Sequence, residues 1–267
     1  MTAEPHQRSS LVWITGASSG IGAALACALA ERGARLVLSA RRVKELEAVR
    51  QRCANPERHL VLPFDAADID ALPALCRRVI NEVGLPDMLV LNAGIGQRSW
   101  ARDTAVAVDQ ALMQINFLSP VALTKTLLDD MVTRGSGHIV VISSVQGKVG
   151  VPRRTGYAAS KHALHGYFDS LRAELWPSPV RVSLVCPGYI DTGLPAAALT
   201  GDGSVQGKAD AGRRKVTSPE VCARQILRGL DAGKDEFNVG GLETLVVPLA
   251  RWWPWLYRRL VARASIP

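Results

Sequence analysis

Tyr157 and Lys161 stand four residues apart in the segment Tyr157-Ala158-Ala159-Ser160-Lys161. On a helix that spacing puts both side chains on one face. A free tyrosine has a pKa near ~10, too high to trade protons easily at neutral pH. A nearby ammonium favours the phenolate and lowers that value. The pair is therefore expected to work as a general acid/base. Upstream, Ile142-Ser143-Ser144 ends an apolar run, and Ser144 could hold a carbonyl oxygen beside the phenol. A tyrosine and a lysine at this spacing also occur as an ordinary surface pair. The company they keep decides between the two.

That company begins near the N-terminus. Thr15-Gly16-Ala17-Ser18-Ser19-Gly20-Ile21-Gly22 follows a short apolar run, Leu11 to Thr15. Glycines let a backbone approach a pyrophosphate, and a helix N-terminus offers free N–H groups and the positive end of a dipole. Gly16, Ser18, Ser19, Gly20 and Ile21 are the expected phosphate-binding residues. The spacing is G-x-x-x-G-x-G, not the commoner G-x-G-x-x-G. A tight strand-to-helix turn without a ligand would look the same. The next apolar run ends Leu38-Ser39-Ala40-Arg41-Arg42. No acid stands where one would grip a ribose 2′-hydroxyl. Arg41 and Arg42 could instead clamp a 2′-phosphate, Arg41 more so because it comes first. The expected cofactor is NADP(H), with NAD(H) open. The plain alternative is that both arginines begin an exposed helix.

The elements that carry these residues alternate. Strands are expected at Leu11 to Thr15, Arg35 to Ala40, His59 to Phe64, Asp87 to Asn92, His138 to Ser143, Val180 to Cys186 and Glu236 to Val239. Helices are expected at Ile21 to Arg32, Val43 to Cys53, Leu72 to Val83, Val106 to Arg134, Tyr157 to Trp176 and Pro219 to Ala232. All-apolar, β-branched strands between helices indicate a parallel sheet covered on both faces. The fold class is α/β, a Rossmann-type doubly wound sheet in a single domain over residues 11–244. Residues 193–217 hold several glycines and few large apolar side chains. They read as a substrate loop and a lid candidate. Residues 1–10 read as a flexible N-terminus.

The 267 residues suit one large domain, and the apolar share of 48% is ordinary for a globular chain. Five cysteines, Cys27, Cys53, Cys76, Cys186 and Cys222, form no C-x-x-C pair and no zinc pattern with histidine. They read as reduced buried thiols of a cytoplasmic-type compartment, and no metal is expected. The N-terminus shows no apolar signal region. No run of the ~18–20 consecutive apolar residues that span a bilayer is visible. The net charge is +8. The basic residues form no single stripe and no nucleic-acid motif accompanies them.

Basic residues do gather in the tail, residues 245–267. From Pro254 a helix would set Leu256, Tyr257, Leu260 and Val261 on one side and Arg258, Arg259 and Arg263 on the other. With three tryptophans nearby, this suits an interfacial helix at a membrane surface. The same face could pack on a neighbouring subunit or close the substrate cleft.

Taken jointly, these motifs resemble the classical short-chain dehydrogenase/reductase family over about Leu11 to Gly240. The resemblance rests on the glycine turn, Asn92-Ala93-Gly94, Asn116, Ser144, Tyr157 and Lys161, and Pro187-Gly188-Tyr189-Ile190-Asp191-Thr192. It implies that Tyr157 is the acid/base, that Lys161 tunes it and holds the nicotinamide ribose, and that Ser144 polarises the substrate oxygen. Asn116 would anchor a water of a proton relay. Asp65 would meet the adenine. Asn92, Ala93 and Gly94 would shape the cofactor floor. Pro187, Gly188, Ile190 and Thr192 would form the nicotinamide side. The family often shows two asparagines before Ala-Gly, and Leu91 replaces the first here. The activity implied is interconversion of a carbonyl and an alcohol by a homodimer or homotetramer. A non-catalytic NADP-binding regulatory or assembly protein is the alternative. Ser144-Val145-Gln146-Gly147-Lys148 and the loop with Gly201-Asp202-Gly203-Ser204 resemble a branch that includes dehydrogenase/reductase member 7B. That branch is linked to lipid-type ketones such as acyl-dihydroxyacetone phosphate.

Overall fold

The computed structural model describes residues 10–207 and 216–263. The N-terminus expected over 1–10, apart from Ser10, lies outside these residues. So do residues 208–215 of the expected loop and the last four residues of the tail.

The chain alternates as its apolar runs require: β1 (Leu11–Thr15), α1 (Gly20–Glu31), β2 (Arg35–Ser39), α2 (Val43–Arg52), β3 (Leu60–Val61), α3 (Leu72–Val83) and β4 (Met88–Leu91). It continues with α4 (Val106–Met113), α5 (Ser119–Arg134), β5 (His138–Ile142), α6 (Thr155–Glu174), β6 (Arg181–Pro187), α7 (Pro219–Asp231) and β7 (Glu236–Val239). Two further helices, α8 (Val246–Trp252) and α9 (Pro254–Arg263), close the described chain. The seven strands form one parallel sheet in the order β3-β2-β1-β4-β5-β6-β7. The winding direction reverses between β1 and β4. A crevice opens there, beyond the carboxyl ends of the strands.

Side chains alternate across each strand and fill two cores. Val12 and Ile14 of β1 face Leu25 and Leu29 of α1 and Ile226 of α7. Leu11 and Trp13 face the other way, toward Val79 of α3, Leu127 of α5 and Phe168 of α6. Both layers are apolar, which is why the strands read as continuous apolar runs. The buried Trp13 indole donates to Ser39 Oγ at 2.9 Å.

Two elements depart from the sequence expectation. The third strand covers only Leu60–Val61, not His59 to Phe64. It is the sheet edge, and beyond it the amides of Leu62 and Phe64 still reach the carbonyls of Leu38 and Ala40. The long helix expected from Val106 to Arg134 contains a π turn at Gln114–Leu118, where the Ser119 amide bonds Gln114 O five residues back. Pro120 explains it: proline has no N–H to offer the Asn116 carbonyl four residues earlier. By length and mean hydropathy this helical run could also span a bilayer. In the fold, Leu112, Leu123, Leu127 and Met131 bury its inner face, and Asn116, Ser119 and Thr124 are buried polar residues along it. The described part of the 193–217 loop is tied to the body. Leu199 bridges Gln97, Ala198 is fully buried, and the Ala105 amide donates to Gly201 O at 2.8 Å.

His138, at the start of β5, is buried with its Nε2 against Ser183 Oγ at 2.9 Å. Burial, aided by the Arg181 charge, pulls its pKa from 6.5 down to about 4. The unfolded chain therefore binds a proton between those values that the folded chain refuses. The His138 contribution is complete above about pH 6.5 and is lost as the pH falls toward 4, an order of about 3 kcal/mol. Denaturant unfolding of the wild type should weaken over that window by this much relative to His138→Gln. Parallel pH profiles for the two proteins would overturn the assignment.

Candidate active site

The glycine turn sits at the carboxyl end of β1, inside the crevice. Gly16 has φ +66°, and a Cβ there would lie 2.8 Å from Asn92 Nδ2. A Cβ on Gly22 would lie 2.3 Å from Gly16 O. Only glycine permits either approach. Asn92, just past β4, locks the turn: its side-chain amide donates to Thr15 O at 3.0 Å and Gly16 O at 3.1 Å. Thr15 Oγ1 in turn accepts from the amides of Asn92 and Ala93. The residue before Asn92, Leu91, is a buried strand residue of the apolar core, so the motif's first position is used for packing here. Ser19 is the N-cap of α1, but its hydroxyl bonds no amide of the first turn, and no acid stands there. The helix end keeps donors and a positive pole for an anion.

Arg41 and Arg42 follow β2 and line the same cavity. They differ in placement. Arg42 Nη2 donates to Ser18 Oγ at 3.2 Å and Ser19 Oγ at 3.1 Å, so its guanidinium rests on the glycine turn. It also faces Glu45 at 3.6 Å. Geometry thus gives Arg42 at least the standing that chain order gave Arg41. Asp65 lies on the cavity wall, where its carboxylate accepts the Ala67 amide at 2.9 Å.

Tyr157 and Lys161 occupy the first two turns of α6, both buried. The Ser144 hydroxyl, at the end of β5, hydrogen-bonds the phenol. Ser144 Oγ accepts the Gln146 amide at 3.1 Å and its hydroxyl also reaches Pro187 O at 3.5 Å. The Lys161 ammonium lies 5.9 Å from the Tyr157 ring centroid and donates to Ile142 O at 2.9 Å. This alters the electrostatic expectation. Burial pushes the Tyr157 phenol above its ordinary value, while Ser144 and the Arg154 guanidinium pull the other way. Burial draws Lys161 down to about 8. Desolvation of the phenol outweighs the opposing pull of Ser144 and Arg154.

Asn116 is fully buried in the π turn. Its Oδ1 accepts the Ile95 amide at 2.8 Å, and its Nδ2 donates to Ile95 O and Ser160 Oγ, both at 3.0 Å. The side chain therefore braces the strand-four loop against α6. Pro187 ends β6, and Gly188 N donates to Val239 O at 2.8 Å. Ile190 pairs with Thr217, and Thr192 packs over the turn, its Cγ2 3.0 Å from where a Gly20 Cβ would be. All the expected residues except Asn116 line one cavity of about 630 Å³. That volume is in the usual ligand range of about 300–1,000 Å³.

Three residues of the site carry no sequence motif. Gln97 is fully buried; its Oε1 accepts the Tyr157 amide at 3.2 Å and so caps α6. Arg154 lines the cavity, and its Nη1 donates to Gln97 O. Its place three residues before Tyr157 was the only available signal. Glu243 accepts the Tyr189 amide at 3.0 Å from 54 residues away. Outside the cavity, His165, Asp169 and Glu236 bring their ligating atoms within 4.8 Å, a grouping the sequence did not suggest. The Lys148 ammonium holds Glu236 at 2.8 Å, occupying the charge a cation would use.

The tail forms a hairpin of α8 and α9. Tyr257, Leu260 and Val261 line an apolar groove with Leu249 and Trp253, while Leu256 is half-buried beside it. The Tyr257 hydroxyl donates to Gly150 O, which ties α9 to the body. No described tail residue lines the main cavity.

Residues 10–201 match the family model described as short chain dehydrogenase. Dehydrogenase/reductase SDR family member 7B of Xenopus tropicalis is 40% identical over 265 residues, covering 96% of this chain and 86% of the relative. Dehydrogenase/reductase SDR family protein 7-like of Drosophila melanogaster is 42% identical over 264 residues, covering 96% of this chain and 80% of the relative. A solved short-chain dehydrogenase from Streptomyces avermitilis superposes with a TM-score of 0.81 at 26% identity, covering 95% of this chain and 96% of that one. The chain belongs to the short-chain dehydrogenase/reductase family, on the branch of the member 7B proteins, and is an oxidoreductase acting on CH–OH groups.

Proposed function

We propose that this protein interconverts a carbonyl and an alcohol with NADP(H), on an apolar or lipid-like substrate, with Tyr157 as acid/base. One observation carries the reading: a single cavity has the glycine turn and two arginines at one end and Ser144, Tyr157 and Lys161 at the other. The residues fit a dinucleotide. The Cβ-free surface of Gly16 and Gly22 and the uncapped start of α1 suit a pyrophosphate. Arg42 on Ser18 and Ser19, with Arg41 beside it, suits a 2′-phosphate.

A bound nicotinamide would supply or accept the hydride. The chain's own residues do the rest. Ser144 donates a hydrogen bond to the substrate oxygen, keeping its own proton, and fixes that oxygen beside the phenol. Tyr157 passes its proton to that oxygen during reduction and takes it back during oxidation. Burial keeps the free phenol protonated, which is the form that reduction requires. Lys161 and Arg154 supply the positive charge that steadies the phenolate. The Asn116 side chain is committed to Ile95 and Ser160, so its share of a proton relay would fall to its main-chain carbonyl, which Pro120 leaves without the usual helical donor. Ile95, Leu194, Pro195 and Ala197 give the cavity apolar walls, which suit an apolar substrate. Membership of this family supports a homo-oligomer.

Tyr157→Phe should lower turnover about 100-fold or more while NADPH still binds. Undiminished turnover would overturn the assignment. Arg41→Ala and Arg42→Ala should each weaken NADPH about tenfold or more, the scale of one charge-assisted hydrogen bond. NADH should be nearly unaffected. Equal losses for both cofactors would refute the clamp.

The reading extends to the tail as a membrane contact. Trp252, Trp253, Trp255, Leu242 and Leu245 are exposed. Arg251, Arg258, Arg259 and Arg263 accompany them, and no acid follows Glu243 in the sequence. Exposed tryptophan with unbalanced arginine suits an anionic lipid surface. The full chain should co-sediment with phosphatidylserine vesicles and not with phosphatidylcholine. Arg258→Glu with Arg259→Glu should cut that binding about tenfold or more, at about 1 kcal/mol per charge near the surface. Equal sedimentation of the two proteins would remove the membrane reading.

A further inference from the structure

Two thiols lie against each other on the outer side of the cofactor half, away from the cavity. Cys27 is on α1, and Cys53 directly follows the last residue of α2. Their sulfurs are 3.9 Å apart, and both cysteines are free. A disulfide bond is about 2.05 Å long, so the sulfurs need close only about 2 Å. Cys53 has left the helix, with φ −76° and ψ 148°, so its backbone can give by that amount more readily than a mid-helix residue. Cys27 is partly exposed, while Cys53 is buried behind it. An oxidant thus reaches one thiol and the second waits beside it.

The other three cysteines differ. Cys76, Cys186 and Cys222 are buried and have no thiol beside them, and burial pushes each up to about 12. Cys27 moves the opposite way. The Cys53 thiol donates to its sulfur, and the Arg52 guanidinium stands near, so the Cys27 thiolate is favoured despite partial burial.

We propose that Cys27 and Cys53 are a redox modification site, forming a reversible disulfide that ties α1 to the end of α2. With hydrogen peroxide as oxidant, the Cys27 thiolate attacks one oxygen, the O–O bond breaks, and a sulfenic acid and hydroxide result, the hydroxide taking up the proton that the Cys27 thiol released. The Cys53 sulfur then attacks the sulfenic sulfur, the S–S bond forms, the S–O bond breaks, and a second water leaves. Two thiols lose two electrons and peroxide gains them. A dithiol reductant reverses the step. The place matters because α1 starts at the glycine turn and α2 starts just after Arg42, whose guanidinium rests on Ser18 and Ser19. The crosslink fixes the far ends of the two helices whose near ends form the phosphate corner.

The test treats the full chain with a small excess of hydrogen peroxide and digests it with trypsin without reduction. The peptide Cys53-Ala-Asn-Pro-Glu-Arg58 should appear joined to the peptide ending at Arg32. Dithiothreitol should release it. Cys27→Ser and Cys53→Ala should each abolish the joined peptide, while Cys76→Ala should retain it. The pair closes a separation of 26 residues, so the oxidised protein should melt about 5 °C higher, reversibly. Free, alkylatable Cys27 and Cys53 after oxidation would overturn the proposal. So would over-oxidation of Cys27 without a crosslink, a Cys27–Cys27 link between chains, or a crosslink that leaves the melting point unchanged.

Discussion

The amide of Asn92 holds the molecule's working end together. It joins the end of β4 to the carbonyls of Thr15 and Gly16, across the one boundary where the sheet changes its winding direction. A parallel doubly wound sheet always opens a crevice at such a boundary. What makes this crevice usable is that the turn lies flat against Asn92 and Ala93, with Gly22 pressed on Gly16. A side chain at Gly16 or Gly22 would push the turn away and close the space where a phosphate would lie.

The other end of the cavity depends on electrostatics in a dry place. Tyr157 and Lys161 are both buried, and each is shifted toward its neutral form. Such a pair is costly to hold unless the surroundings stabilise the charged forms. Here the surroundings are specific: Ser144 on the phenol, Arg154 beside it, and Ile142 O on the ammonium. Gln97 ties them together by capping α6 at Tyr157 and accepting Arg154. Helix position and side-chain charge are thereby set by the same buried residue, through its side-chain amide and its main-chain carbonyl.

The helix that backs this end is shaped by one proline. Pro120 removes the donor for Asn116 O, the ladder slips to a π turn, and Asn116 is turned inward to brace Ile95 and Ser160. The sequence shows a long apolar helical period through this region, and the period alone says nothing of a slipped turn. In the described part of the 193–217 loop, Ala198 and Gly201 pack closely on the 97–105 segment because they are small.

Much was legible without coordinates. The order of strands and helices and the parallel class follow from local periodicity, a short-range consequence of helix and strand geometry, while the glycine turn and the Ser144, Tyr157 and Lys161 set drew their meaning from the joint motif pattern and the family it resembles. The tertiary structure alone decided which distant atoms meet. It put Arg42 on Ser18, Glu243 on the Tyr189 amide, Gln97 on Tyr157 and Cys27 against Cys53. It also reversed the expected balance at Tyr157, because burial is a property of the whole packed core and no spacing within one helix reveals it.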